Sequence, residues 1–261
     1  MRSCPKPLRS SDSMRFMFTI ITFIAGLALG SLLNMLIVRL PRERALLGWP
    51  RCTRTGETLR WWQLLPVVGW LLQRGRASDG RSLHWMHPLV DLLSGLMLVR
   101  LYQLYGVGPI LFYLTFVCAV LLLTGAIDWI HRYIYTFVIL GATAITLLWG
   151  PLVGMDWRNV LLGALLGGFI FMLFYLLANF LFPATSVPFG MGDVYLAIFI
   201  GAVVGLFNLG AALFYGMAMA GAVSAGILIV RRTGRPTPTY IAYGSYLCLG
   251  VLLFIALGGM G

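Results

Sequence analysis

Apolar runs of about twenty residues recur along this chain, and their length dictates what it can fold into. They lie near Phe16–Val38, Pro88–Tyr105, Pro109–Ile127, Tyr133–Gly150, Val160–Phe182, Val194–Phe207, Ala211–Val230 and Ile241–Leu257. A helix of roughly 20 residues crosses the hydrocarbon core of a bilayer. Lipid offers the backbone no hydrogen-bond partner, so each run must satisfy its own amides as a helix. The expectation is an all-α fold, a polytopic membrane bundle of about eight transmembrane helices with one cytoplasmic loop region. The break at Asn208–Gly210 is expected to divide the sixth run from the seventh. Only 10% of the 261 residues are charged, against roughly 25% in soluble domains. The first run is too long for the apolar core of a signal peptide and has no small-residue cleavage pattern behind it, so it reads as a retained helix.

The one long polar stretch, Arg39 to His87, carries nine arginines against Glu43, Glu57 and Asp79. The positive-inside rule puts this loop in the cytoplasm. Counting spans from there makes Asp128–Arg132, Pro183–Asp193 and Arg231–Tyr240 cytoplasmic too. The basic tail before Phe16, with Arg2, Lys6, Arg9 and Arg15, argues the other way and is outweighed by the loop. The net charge of +11 therefore needs no nucleic acid. It suits anionic membrane lipids, toward which each arginine contributes about 1 kcal/mol of attraction. Trp61, Trp62, Trp70 and Trp85 fit an interfacial belt, with short helices expected around Trp61–Gln73.

Three acids lie in or beside the apolar runs: Asp91, Asp128 and Asp193. An ionisable residue in the membrane is a functional candidate by default. Asp128 closes an inward-running span in GAIDWIHRYI, and Asp193 opens an outward-running one in FGMGDVYL, so span counting alone puts both at the cytoplasmic edge. Two carboxylates that approach closely share one proton. The ionised partner can then take a proton from water while the protonated partner polarises a scissile carbonyl. Gly190 and Gly192, without Cβ atoms, would permit unusual φ values and let a substrate backbone lie alongside. The plainer readings are that Asp193 caps a helix N-terminus, that Asp128 pairs with His131 or Arg132, and that the acids serve a proton pathway. Asp91 reads either as a loop-orienting or substrate-amine group, or as a hydrogen-bonding partner for a neighbouring helix.

His84 and His87 with Cys52 or His131 could hold a metal, although their spacing is short of the i,i+4 pair of zinc helices. The four cysteines are scattered without ligand spacing. Gly26 and Gly30, Gly163 and Gly167, and Gly201 and Gly205 form small-x-x-x-small pairs, which bring helices close together. They read as packing within the bundle.

FGMGDVYL resembles the GxGD signature of intramembrane aspartyl proteases, and its setting resembles the type IV prepilin peptidases. LGSLLNMLIVRLPRE, at Leu29–Glu43, is similar to that family's N-terminal GSFLNVVIYRLP segment. LHWMHPLVDLLSG is similar to the stretch after its cytoplasmic loop, with Asp91 where glutamate is common. GAIDWIHRYI resembles the first aspartate motif, and PTYIAYGSYLCLG the closing PFGPYL-type segment. The likeness covers nearly the whole chain after Met14. Presenilin and signal peptide peptidase share GxGD, but their YD and PAL motifs have no counterpart here.

The resemblance implies a polar extension over 1–14, an N-terminal prepilin-peptidase segment over 15–105 with its loop at 39–87, and an aspartyl protease domain over 106–261. It implies Asp128 and Asp193 as the catalytic pair and Gly190 and Gly192 as support for the catalytic loop. The implied activity is cleavage of the leader of prepilins or pseudopilins, at the cytoplasmic face of the bacterial inner membrane and without a cofactor. Many members also methylate the new N-terminus with S-adenosylmethionine. The family's loop often carries two C-x-x-C pairs, a tetrahedral zinc arrangement. Here Cys52, Thr55, Ala77 and Gly80 occupy those places, so zinc is not expected. Tyr135 and Tyr195 replace a common proline and lysine beside the two acids. A proton-coupled transporter and a catalytically altered assembly scaffold are the rival readings.

Overall fold

The computed structural model describes residues 10–42, 66–76, 84–181, 190–232 and 241–260. Among these residues eight α-helices follow in order: α1 (Ser10–Arg39), α2 (Val68–Leu72), α3 (Met86–Tyr105), α4 (Pro109–His131), α5 (Thr136–Leu152), α6 (Trp157–Leu181), α7 (Met191–Arg232) and α8 (Tyr243–Ala256). Among the described residues four stretches are long and apolar enough to cross a membrane: Met14–Arg39, Pro109–His131, Trp157–Leu181 and Met191–Arg232. The apolar helices α5 and α8 are shorter, at 17 and 14 residues. The chain divides into two compact units, one of Met1–Met35 with Leu47–Val107, the other of Leu36–Leu46 with Gly108–Gly261.

In the first unit the small residues of α1 meet α3 at backbone distance. A Cβ on Gly26 would lie 2.7 Å from Gly95 Cα, and one on Gly30 would lie 2.6 Å from Asp91 Cα. Removing side chains at these crossings leaves backbone against backbone, which is how helices gain contact where lipid supplies no hydrophobic drive. The turn at Pro66–Val67 precedes α2, which lies inside the stretch where short helices are expected.

In the second unit α7 packs most extensively on α6 and then on α8, and α4 packs on α8. Gly163 and Gly167 of α6 face Gly201, Gly205 and Ala197 of α7, so two of the glycine pairs form one crossing. Pro109 at the first turn of α4 fits a position whose N–H is unpaired in any helix.

The division between the sixth and seventh runs falls at Gly205, not at Asn208–Gly210. α7 has 42 residues and would be about 63 Å long if straight, roughly twice the hydrocarbon thickness. Its path is interrupted at Gly205, where φ is 73° and ψ is 174°, a region that side chains disfavour. The restart exposes main-chain N–H groups that must find acceptors. Asn159 of α6 supplies one: its Oδ1 accepts from Leu206 at 2.8 Å and from Phe207 at 3.4 Å. Any Cβ at Gly205 would run into that amide. Asn159 is thus an N-cap donated from another helix. Asn159→Ala should lower the stability of the purified protein by about 1–2 kcal/mol, read as a fall in melting temperature in detergent.

Candidate active site

Asp128 lies in the last turn of α4, which ends at His131 and is capped by Arg132 in the left-handed conformation (φ 59°, ψ 37°). The Arg132 N–H donates to Asp128 O at 2.8 Å and closes the helix. The side chain of Asp128 is 6% exposed. Its Oδ2 accepts two hydrogen bonds from Ser245, from the main-chain N–H at 2.7 Å and from the hydroxyl at 2.9 Å. Ser245 is the third residue of α8, so Asp128 sits at a helix N-terminus, where unpaired N–H groups favour negative charge.

Asp193 is the third residue of α7. Its Oδ2 accepts from Gly190 N–H at 3.3 Å, and its own N–H donates to Gly190 O at 3.1 Å. This is one half of a capping box, the acid at the third position reaching back to the main-chain N–H before the helix, while Gly190 answers only through its main-chain carbonyl. The capping role anticipated for Asp193 is therefore present, and it leaves the carboxylate half-buried and within charge–charge range of Asp128. On α8, Tyr243 lies within charge range of Asp193, and Cys248 within range of both acids.

Ile134 brings the carriers of these groups together. A Cβ on Gly192 would lie 3.0 Å from Ile134 Cβ, and one on Gly244 would lie 3.0 Å from both Ile134 Cδ1 and Asp128 Oδ2. The α4–α5 connection, the start of α7 and the start of α8 thus close on one side chain. The reason expected for the two glycines needs correction in part. Neither Gly190 nor Gly192 has a positive φ. Gly192 admits the Ile134 side chain, while a Cβ on Gly190 would make only ordinary contacts at 3.8 Å or more.

Tyr135 takes φ −72° before α5, a value a proline ring would also hold. Its hydroxyl donates to Leu40 O at 2.8 Å. That leaves the hydroxyl's oxygen to accept from Tyr133, with which it is hydrogen-bonded. The tyrosine pair ties the connection after Asp128 to the residues following α1.

Asp91 belongs to the first unit and is not part of this pair. It is 5% exposed, and both its oxygens are engaged. Oδ1 accepts from Asn34 Nδ2 at 2.9 Å, and Oδ2 accepts from Val67 N–H at 2.9 Å. Asn34 also donates to His87 O at 2.8 Å and pairs through its own oxygen with His87 Nδ1 at 2.9 Å. His84 Nδ1 accepts from Met86 N–H at 3.2 Å. Asp91 and the two histidines are thus each engaged in local hydrogen bonds. Val67, a β-branched residue at φ 55°, is strained in that conformation, and its N–H donates to Asp91.

Among the described residues no group of three or more His, Cys, Asp or Glu is placed to bind a metal. Cys52, Thr55, Ala77 and Gly80 lie outside the described residues. Sequence reasoning missed Ser245. The available signal was the single serine in the apolar run Ile241–Leu257, since a polar side chain there needs a partner.

A helical bundle with a buried aspartate closing one long apolar helix and a half-buried aspartate opening another fits a polytopic membrane protein. Residues 24–105 match the Bacterial Peptidase A24 N-terminal domain. A protein of Myxococcus xanthus named prepilin leader peptidase/N-methyltransferase is 31% identical over 226 residues, covering 85% of this chain and 66% of that one. Proteins of the same name from Xanthomonas campestris pv. campestris and Bacillus subtilis are 27% and 28% identical, each match covering 86% of the relative and 86% and 84% of this chain. The chain is similar along most of its length to proteins named prepilin leader peptidase/N-methyltransferase, and it is a bacterial multi-pass membrane protein. It spans just under two thirds of the length of the Myxococcus protein. No solved structure matches it.

Proposed function

We propose that this chain is an aspartic endopeptidase that cleaves the leader of type IV prepilins or pseudopilins, with its active site facing the cytoplasm at the bacterial inner membrane. What supports the reading is that Asp128 and Asp193, 65 residues apart in sequence, lie at helix ends within charge–charge range of each other. With one proton between them, the ionised carboxylate takes a proton from a water molecule as that water attacks the scissile carbonyl. The protonated carboxyl donates to the carbonyl oxygen, and collapse of the tetrahedral intermediate returns the proton and passes the other to the leaving amine. Ser245, Ile134 and both acids fall within the second unit, which supports assigning the chemistry to the segment after residue 106. The arginines of the loop support the cytoplasmic orientation.

Methylation of the new amine with S-adenosylmethionine forms a second part of the proposal, and its support is the name carried by the relatives. The transporter and scaffold readings draw no support from those relatives. The test is incubation of the purified protein in detergent with purified prepilins and pseudopilins and methyl-labelled S-adenosylmethionine. Loss of the leader by mass spectrometry is expected, together with label on the shortened product. Failure to cut any of them would overturn the peptidase, and cutting without label would remove the methyl transfer.

A further inference from the structure

Ser245 contributes more to Asp128 than a single hydrogen bond. Its hydroxyl oxygen lies 2.9 Å from Asp128 Oδ2 and also 2.9 Å from Gly125 O, one turn earlier on α4. It is 2% exposed, so solvent does not replace either contact. A hydroxyl carries one proton and two lone pairs, so it can donate to only one of these two oxygens at a time. When Asp128 is ionised, the hydroxyl can donate to Oδ2 alongside the Ser245 N–H. When Asp128 is protonated, the hydroxyl can turn its proton to Gly125 O and accept from the carboxylic acid. Both protonation states of Asp128 are thereby hydrogen-bonded without any movement of heavy atoms. Among the described residues Ser245 supplies every hydrogen bond to this carboxyl group, all of them to Oδ2, which leaves Oδ1 to meet water or substrate.

We infer that Ser245 is the positioning residue of the peptidase, holding the Asp128 carboxyl in one orientation while its proton comes and goes. The inference rests on the aspartyl reading above. Ser245 does not touch the scissile bond; it acts through Asp128. The main-chain donor and the hydroxyl divide the work. The N–H fixes Oδ2 at the start of α8 whatever side chain residue 245 carries, and the hydroxyl alone responds to protonation.

The test compares Ser245→Ala and Ser245→Cys with wild type and with Asp128→Asn, on a prepilin that the wild-type protein cleaves. Rates are taken per folded enzyme, with the folded fraction measured by thermal unfolding. Ser245→Ala keeps the main-chain donor and loses the hydroxyl. Ser245→Cys keeps the side-chain size with a much weaker donor, so it reports even where the alanine variant folds poorly. The expected result is a fall in kcat of about tenfold in both, with KM unchanged. Wild-type kcat in either folded variant, or a rise in KM with kcat intact, would overturn the role of Ser245 while leaving the dyad standing. Full activity in Asp128→Asn would instead remove the aspartyl reading itself.

Discussion

Asp128→Asn and Asp193→Asn should each abolish leader cleavage, with kcat falling by about 10²–10⁴-fold. Asparagine is chosen because it keeps the shape of the side chain and one acceptor oxygen. At residue 128 that oxygen can still receive the Ser245 N–H, which bonds Asp128 at 2.7 Å. At residue 193 it can still receive the Gly190 N–H. Both caps are thus preserved, and melting temperatures should stay near wild type. Loss of turnover can then be assigned to the lost carboxylate. Asp156→Asn is the control. Asp156 accepts from Arg158 N–H at 3.1 Å in the turn before α6 and is not part of the pair, so cleavage should be unaffected.

The double variant Asp128→Asn/Asp193→Asn should be no slower than either single variant. Two groups that share one proton act as a unit, and removing one already removes the function of both. Additive losses would mean that the acids act independently, as in a proton pathway with two stations. Either single variant turning over at the wild-type rate would defeat the peptidase dyad.

The sequence made the membrane bundle legible because a spanning helix has a length and a composition that no packing context alters. All eight apolar runs therefore lie where helices are found, on seven helices, because α7 takes both the sixth and the seventh. The break in α7 was harder to place. Asn208 and Gly210 carry the usual marks of a turn, yet no side chain meets a Cβ at Gly210 and the helix runs on through both. The chain is interrupted at Gly205 because Asn159, 46 residues earlier, supplies the acceptor. A cap borrowed from another helix leaves no mark within the segment it caps. The two aspartates were legible because an acid in an apolar run stands out. Ser245, 117 residues from Asp128, was not, because a serine costs little in such a run. The engagement of Asp91 was equally hidden, since its partners Asn34 and Val67 become neighbours only after folding.

Gly201→Val should be among the most damaging substitutions outside the acids. A Cβ at Gly201 would fall on the carbonyl oxygen of Gly163, and it would lie 3.0 Å from Ala164 Cα. These are backbone atoms of α6 and cannot rotate away. The only relief is separation of α6 from α7, the most extensive helix pair in the protein. Overpacking of a rigid site costs about 1–3 kcal/mol and more where the backbone must move. At the upper end of that range, with about 2–4 °C of melting temperature per kcal/mol for a chain of this size, the expected fall is about 6–12 °C in detergent. Gly201 lies two turns beyond Asp193 on the same helix, so the separation should also displace the carboxylate and reduce kcat in whatever fraction stays folded. Gly210→Ala and Gly221→Ala provide the contrast. No atom lies within 4 Å of a Cβ at either position, and alanine favours a helix over glycine by up to about 1 kcal/mol. Both variants should melt at or slightly above the wild-type temperature. A Gly201→Val protein that melts and cleaves like wild type would mean that the two helices do not meet through these glycines.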